Sequence, residues 1–219
     1  MYQSFPDGTC SGAAIPPQNW LTQLRRQCAL LVAHPQLNVK EAMYAVGTLL
    51  SKIQHCIDEG RLNAGLVESM GESLLQLADA GILQQQAGQL MPIPMFRAEA
   101  LQQFPTVFSH PQTRECPWDE PFTQLMAPLM KSLLQGLLAE NVFADPRCSY
   151  GEMFARLSQY LFWVRQAIAL EVEAGTRVTP AQLAAWETWF RGYGAGALMQ
   201  ANDDGLSSDF YLLKGLALL

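Results

Sequence analysis

Two stretches of this chain fix helix starts: Ser149 followed by Glu152, and Thr179 followed by Gln182. In each, a hydroxyl residue stands three places before Glu or Gln and is followed by apolar residues at helical spacing. This is the capping-box arrangement. The hydroxyl accepts from the N3 amide, and the N3 side chain reaches back to accept from the N-cap amide. Pro180 adds a pre-set φ at the first helical position, where its missing N–H costs nothing. With similar signals elsewhere, the expected fold class is all-α: about seven helices in a single irregular bundle, one domain over residues 1–219.

Residues 1–17 are rich in Gly and Pro and read as an irregular arm that ends at Pro16 and Pro17. Residues 18–83 read as N-terminal helices. The first starts near Asn19, carries Trp20, Leu24, Cys28 and Leu31 on one stripe, and stops before Pro35. Asn38 then caps a helix with Glu41 at N3. Its apolar residues Val39, Met43, Val46, Leu50, Ile53 and Ile57 step by three and four, an amphipathic stripe. Gly60 fits its C′ position. Asn63 caps the next helix, with Leu66, Val67, Met70, Leu74 and Leu77 inward and Gly81 closing it. The two form a helical hairpin.

Residues 84–120 form a proline-rich crossover in which Pro92, Pro94, Pro105, Pro111 and Pro117 interrupt regular structure. Only Arg97 to Phe104 reads as a short helix. A run this long without regular structure is usually functional or a linker. It joins two halves that are each small for an independent core.

Residues 121–219 read as C-terminal helices. From Phe122 to Leu138 apolar residues, Leu125 among them, cover more than one face, which predicts a centrally buried helix that Pro128 kinks or divides. After a turn at Asp145 and Pro146, the Ser149 helix runs to about Ala174 with Phe154, Leu157, Leu161, Val164 and Ile168 inward. The Thr179 helix carries Leu183, Trp186, Phe190 and Tyr193 along one face and then meets Gly192, Gly194 and Gly196. Each glycine costs about 1 kcal/mol relative to alanine but lets another helix come close. A last helix, capped by Ser207 or Ser208, is expected to face inward with Phe210, Leu213 and Leu216.

Charge narrows the function classes. Charged residues make up 16% of the chain, below the usual ~25% for a globular protein. Glutamine clusters such as Gln84, Gln85, Gln86 and Gln89 cover part of the surface, and a share of it is expected to be buried against a partner or a second copy, since interface cores are depleted of charge. The net charge of −6 and the scattered Lys and Arg residues argue against a nucleic-acid-binding face. No run approaches a membrane span, and no secretory signal pattern opens the chain. Cys10, Cys28, Cys56, Cys116 and Cys148 are odd in number and widely spaced, which reads as reduced thiols in the cytoplasm.

Candidate chemistry is sparse. His55 and Cys56 are neighbours on one helix and point about 100° apart, so they cannot share a metal or act as a pair. His110, Cys116, Asp119 and Glu120 include the residue types that bind zinc, but their spacing fits no tetrahedral site, and they stand only as a weak metal alternative. Asp119 reads more simply as a cap for the following helix, with Trp118 as its staple. Cys148, just before the Ser149 cap, is the cysteine best placed for a lowered thiol pKa. Glu171 with Glu173, and Asp203 with Asp204, do not converge as acid–base pairs. There is no E-x-x-H, no P-loop and no dinucleotide glycine pattern, so no cofactor is expected.

The aromatic run remains. Trp186, Trp189, Phe190 and Tyr193 with Arg191 are the residue types that dominate binding hot spots. The expected function is therefore a non-enzymatic cytosolic adaptor, regulator or assembly chaperone that binds another protein, itself as a homodimer, or both. The alternative is a metal- or small-ligand-binding helical enzyme, with a pocket between the central Leu/Met-rich helix and the crossover.

Overall fold

In the computed structural model, residues 19–108, 115–116, 119–139, 148–198 and 206–219 are described. They form α1 (Asn19–Ala33), α2 (Val39–Asp58), α3 (Ala64–Asp79), α4 (Ile82–Gly88), α5 (Pro94–Gln102), a 3-10 turn (Thr106–Phe108), α6 (Glu120–Ala139), α7 (Tyr150–Glu173), α8 (Pro180–Leu198) and α9 (Ser208–Leu218). Among the described residues there is no strand, and no helix is long and apolar enough to cross a membrane. The arm over residues 1–17, Cys10, His110, Trp118, the turn at Asp145 and Pro146, and Asp203 with Asp204 lie outside the described residues.

Local capping chemistry sets the helix starts. Asn38 and Glu41 make the full reciprocal box: the Glu41 amide donates to Asn38 Oδ1 at 3.0 Å, and the Asn38 amide donates to Glu41 Oε2 at 2.7 Å. Ser149 accepts from the Glu152 amide at 3.1 Å, and Thr179 accepts from the Gln182 amide at 3.2 Å. The Glu152 carboxylate, 5% exposed, pairs with Arg156 one turn on. Gly60 and Gly81 hold φ of 66° and 73°, the left-handed conformation that ends a helix with little strain only at glycine.

The helix count exceeds about seven because α4 and α5 lie in or at the edge of the stretch read as mostly irregular. Gly81 closes α3 and at once opens α4, and the Gln84 amide group returns to the Ala78 carbonyl at 3.0 Å. Pro94 opens α5 at its first position, where proline favours a helix. α6 likewise runs unbroken through Pro128, so the proline neither divides it nor starts a second helix. The carbonyl deprived of a donor belongs to exposed Gln124, within reach of water.

The inward stripes of α1 and α7 are as their spacing implies: Trp20, Leu24, Cys28 and Leu31 are buried, as are Phe154, Leu157, Leu161, Val164 and Ile168. Three placements differ. In the last turn of α2 the buried residue is Cys56, while Ile57 is 38% exposed. Leu125 of α6 is 50% exposed, and α7 is the helix buried on several faces, enclosing even Ser158 and Gln166. On α9, Phe210 and Leu213 face outward, whereas Tyr211, Gly215 and Leu218 are buried. The reason is backbone proximity: a Cβ on Gly215 would stand 2.7 Å from the Phe154 ring and 3.1 Å from Ala155 Cα, so α9 turns its smallest side to α7.

One cluster of buried side chains runs from Trp20 to Phe190 and takes in residues of both halves of the chain. At about 1.5–3 kcal/mol for each fully buried Leu, Ile or Phe, this cluster is the dominant favourable term in the fold. The crossover is held to it by α7. Gln159 Nε2 donates to Gln103 Oε1 at 2.7 Å, Trp163 Nε1 donates to the Ala100 carbonyl at 2.7 Å, and Gln166 Oε1 accepts from the Cys116 amide at 2.7 Å. Residues 159, 163 and 166 step by four and three, so one face of α7 holds the whole row.

Candidate functional site

The aromatic face of α8 follows from its local sequence. Thr179 and Pro180 fix the start, and Leu183, Trp186, Phe190 and Tyr193 then recur every three or four residues on the side that meets the core. Trp186 and Phe190 are buried at 7% and 3% exposure, and Tyr193 is half-buried. Tyr160 of α7 donates its hydroxyl to the Phe190 carbonyl and stacks on Tyr193 with ring centroids 6.3 Å apart, tying the two helices together. Burial pushes the Tyr160 and Tyr193 hydroxyls above the ordinary tyrosine range.

Trp189 is the outward member, 44% exposed. Its ring lies nearly parallel to that of Tyr193, 5.8 Å away at 6°. Phe108, from the 3-10 turn of the crossover, sits at the centre of the cluster. Its ring lies 5.3 Å from Trp189, 5.9 Å from Phe190, 5.1 Å from Tyr193 and 5.2 Å from Phe104. Each such pair contributes about 0.5–1.5 kcal/mol beyond burial, so the crossover is fastened to α8 largely through one ring.

Beside this cluster is a half-open groove of about 320 Å³ lined by Val107, Phe108, Ala167, Glu171, Trp186, Trp189 and Phe190. Val107 is 50% exposed at its edge, and Glu171 places an exposed carboxylate on its rim. Sequence reasoning named the α8 residues but not Val107, Phe108 or Ala167, and it weighed Glu171 only as an acid–base residue. The one available signal was Phe104 and Phe108 four apart around Pro105, which does not say where those rings dock.

Arg191 does not join the aromatic face. It turns toward α6, pairing with Glu187 one turn back on α8 at 2.7 Å and donating to the Ser132 carbonyl of α6 at 3.5 Å. Ser132 Oγ completes the set by donating to Glu187 at 2.7 Å. Gly136 gives this guanidinium room, since a Cβ there would stand 2.7 Å from Arg191 Nε.

His110 of the metal alternative lies outside the described residues, and among the described residues no three His, Cys, Asp or Glu side chains converge. Cys116 is buried beside Gln166, and Asp119 caps α6 by accepting from the Phe122 amide at 2.9 Å. His55 is paired with Glu59 at the surface, while its neighbour Cys56 is buried. Cys28, Cys56 and Cys116 are buried and Cys148 is half-buried, and none of the four is in a disulfide. Burial alone raises the Cys28 thiol to about 12, which makes it unreactive at neutral pH.

Comparison of the chain with protein-family models, with curated proteins and with solved structures returns no match.

Proposed function

We propose that this protein acts by binding, as an adaptor, regulator or assembly chaperone, and that it docks a segment of a partner protein in the groove between α8 and the 3-10 turn. The observation that carries the reading is the pairing of half-exposed Trp189 and Val107 over a floor of Phe108, Trp186 and Phe190, beside the Glu171 carboxylate. A rigid aromatic floor offers contact area at low entropic cost, and Trp is the residue most enriched among binding hot spots. The rim carboxylate and the net charge of −6 favour a segment with an apolar anchor next to Lys or Arg, because complementary charge speeds encounter and fixes register. Cysteines outside any disulfide suit a reducing compartment, and we place the protein in the cytoplasm.

Selection of displayed peptides against the wild-type protein, with counter-selection on Trp189→Ala, tests the reading. Enriched peptides are expected to share an apolar or aromatic residue flanked by Lys or Arg, and to lose at least tenfold in affinity on Trp189→Ala, or ~1.4 kcal/mol. Enrichment that Trp189→Ala leaves intact refutes the groove as the docking site. A dimer in light scattering that Val107→Asp converts to monomer assigns the groove to a second copy instead.

A further inference from the structure

Four aromatic rings and one carboxylate line the groove beside α8: Phe108, Trp186, Trp189, Phe190 and Glu171. Three of the rings stand at steep angles to one another. Phe108 lies at 64° to Trp189 and 57° to Phe190, and Trp189 lies at 75° to Phe190, with centroids 5.3, 5.9 and 5.0 Å apart. Rings so inclined make a corner rather than a flat slab, and one group seated in it can stand within about 6 Å of all three centroids. Trp189, 44% exposed, is the most open of them. Tyr193 stacks on it at 6° without lining the groove, so that ring is braced from outside.

The carboxylate is held but not neutralised. Glu171 follows Ala167 by one turn on the same face of α7, and both line the groove. Thr176, just past the end of α7, donates its hydroxyl to Glu171 Oε2 at 3.1 Å. Among the described residues Glu171 makes no ion pair. The groove therefore favours a cation, and its side chains restrict which kind. Glu171 is the only hydrogen-bond acceptor among the lining side chains. An unmodified lysine ammonium brings three N–H donors and a guanidinium five, more than one carboxylate satisfies, and both lose hydration against the rings. Trimethylation removes every donor from the lysine head and keeps its charge.

We propose that the groove seats the trimethylated ammonium of a lysine in the partner segment, with the cation against the rings of Phe108, Trp189 and Phe190 and its charge toward Glu171. The assignment rests on the docking reading above and names the group that docks. One methylated ammonium joins the two requirements of that reading, apolar contact and positive charge. Its methyl groups pack on the rings while the negative ring faces attract the charge. The volume of about 320 Å³ holds about ten water-sized groups at ~30 Å³ each, and a trimethyllysine side chain has about eight non-hydrogen atoms. The net charge of −6 adds a field that draws such a segment in.

Tryptophan fluorescence titration of the full chain tests the assignment, using a Gly/Ser peptide that carries one trimethyllysine. The controls are the same peptide with unmodified lysine, its uncharged analogue with carbon in place of the ammonium nitrogen, and free choline. The trimethyllysine peptide is expected to bind at least about fivefold more tightly than each control. Glu171→Gln, at an exposed position, should weaken it about threefold or more and leave the carbon analogue within a factor of about two. Equal binding of the carbon analogue overturns the proposal and leaves the groove as a dock for an apolar anchor. Failure of the trimethyllysine peptide to bind at millimolar concentration, while displayed peptides still bind through Trp189, overturns this proposal alone. Choline binding as tightly as the peptide overturns the lysine source, and an equal effect of Glu171→Gln on the charged and uncharged peptides overturns the role of the carboxylate. If Trp189→Ala weakens neither the displayed peptides nor the trimethyllysine peptide, the docking reading falls as well.

Discussion

Gln166 and Cys116 are paired at two points across fifty residues of sequence: Gln166 Oε1 accepts from the Cys116 amide at 2.7 Å, and Nε2 donates to the Cys116 carbonyl at 3.5 Å. Gln166 is fully buried and Cys116 is 2% exposed, so water cannot replace this pairing. One side-chain amide thus does for the crossover what a partner strand does for an edge, satisfying a donor and an acceptor together.

Gln166→Leu should leave the Cys116 amide buried without this acceptor, at a cost of about 1–3 kcal/mol. Urea unfolding measures the loss. The rate of Cys116 modification by a thiol reagent should rise in the same variant. Unchanged stability together with an unreactive Cys116 would show that the crossover is held by its other contacts.

Gly194 and Gly192 separate close packing from helix propensity on one helix. A Cβ at Gly194 would stand 2.8 Å from the Tyr160 ring and 3.0 Å from Leu137 Cδ2, whereas nothing lies within 4 Å at Gly192. Gly194→Ala should destabilise by about 1–3 kcal/mol through overpacking. Gly192→Ala should stabilise by roughly 0.5–1 kcal/mol through helix propensity. Melting temperatures that move the same way in both variants would contradict the helix contact assigned to Gly194.

Trp186 and Trp189, three residues apart, should differ sharply. Trp186→Ala opens the core where the ring is 7% exposed, and should cost about 3–5 kcal/mol. Trp189→Ala removes a 44% exposed ring whose ring partners are Phe190, Phe108 and Tyr193, and should cost less, about 1.5 kcal/mol. Denaturant titration of the two variants decides it, and it also establishes whether Trp189→Ala is folded enough to report on docking.

Stability should fall in alkali. Cys28 is raised by burial from 9.0 to about 12, and burial likewise raises Tyr150 and Tyr160 above their ordinary 10.0. A raised folded pKa means that the folded chain holds protons which the unfolded chain releases. The stabilising contribution is therefore complete below pH 9 and is lost as pH climbs toward 12, at about 1.4 kcal/mol per pH unit for each titrating group. Unfolding free energies measured from pH 8 to pH 11 should show this slope for the wild type and a shallower one for Cys28→Ala. Equal slopes would mean that Cys28 does not titrate differently in the two states.

The sequence alone determined those features whose physics closes within one helical turn. The Asn38 and Glu41 box, the Ser149 and Thr179 caps, and the buried stripes of α1 and α7 all follow from side chains acting three or four residues away. Tertiary structure decided the rest. Arg191 left the aromatic run for Glu187 and Ser132, Phe108 came from the crossover to complete the α8 face, and α9 turned Gly215 inward and left Leu213 outside. The physical reason is that a ring or a guanidinium carries no record of which surface it will meet. That choice is made by the packing of elements tens of residues apart, where backbone proximity and shape outweigh any local pattern.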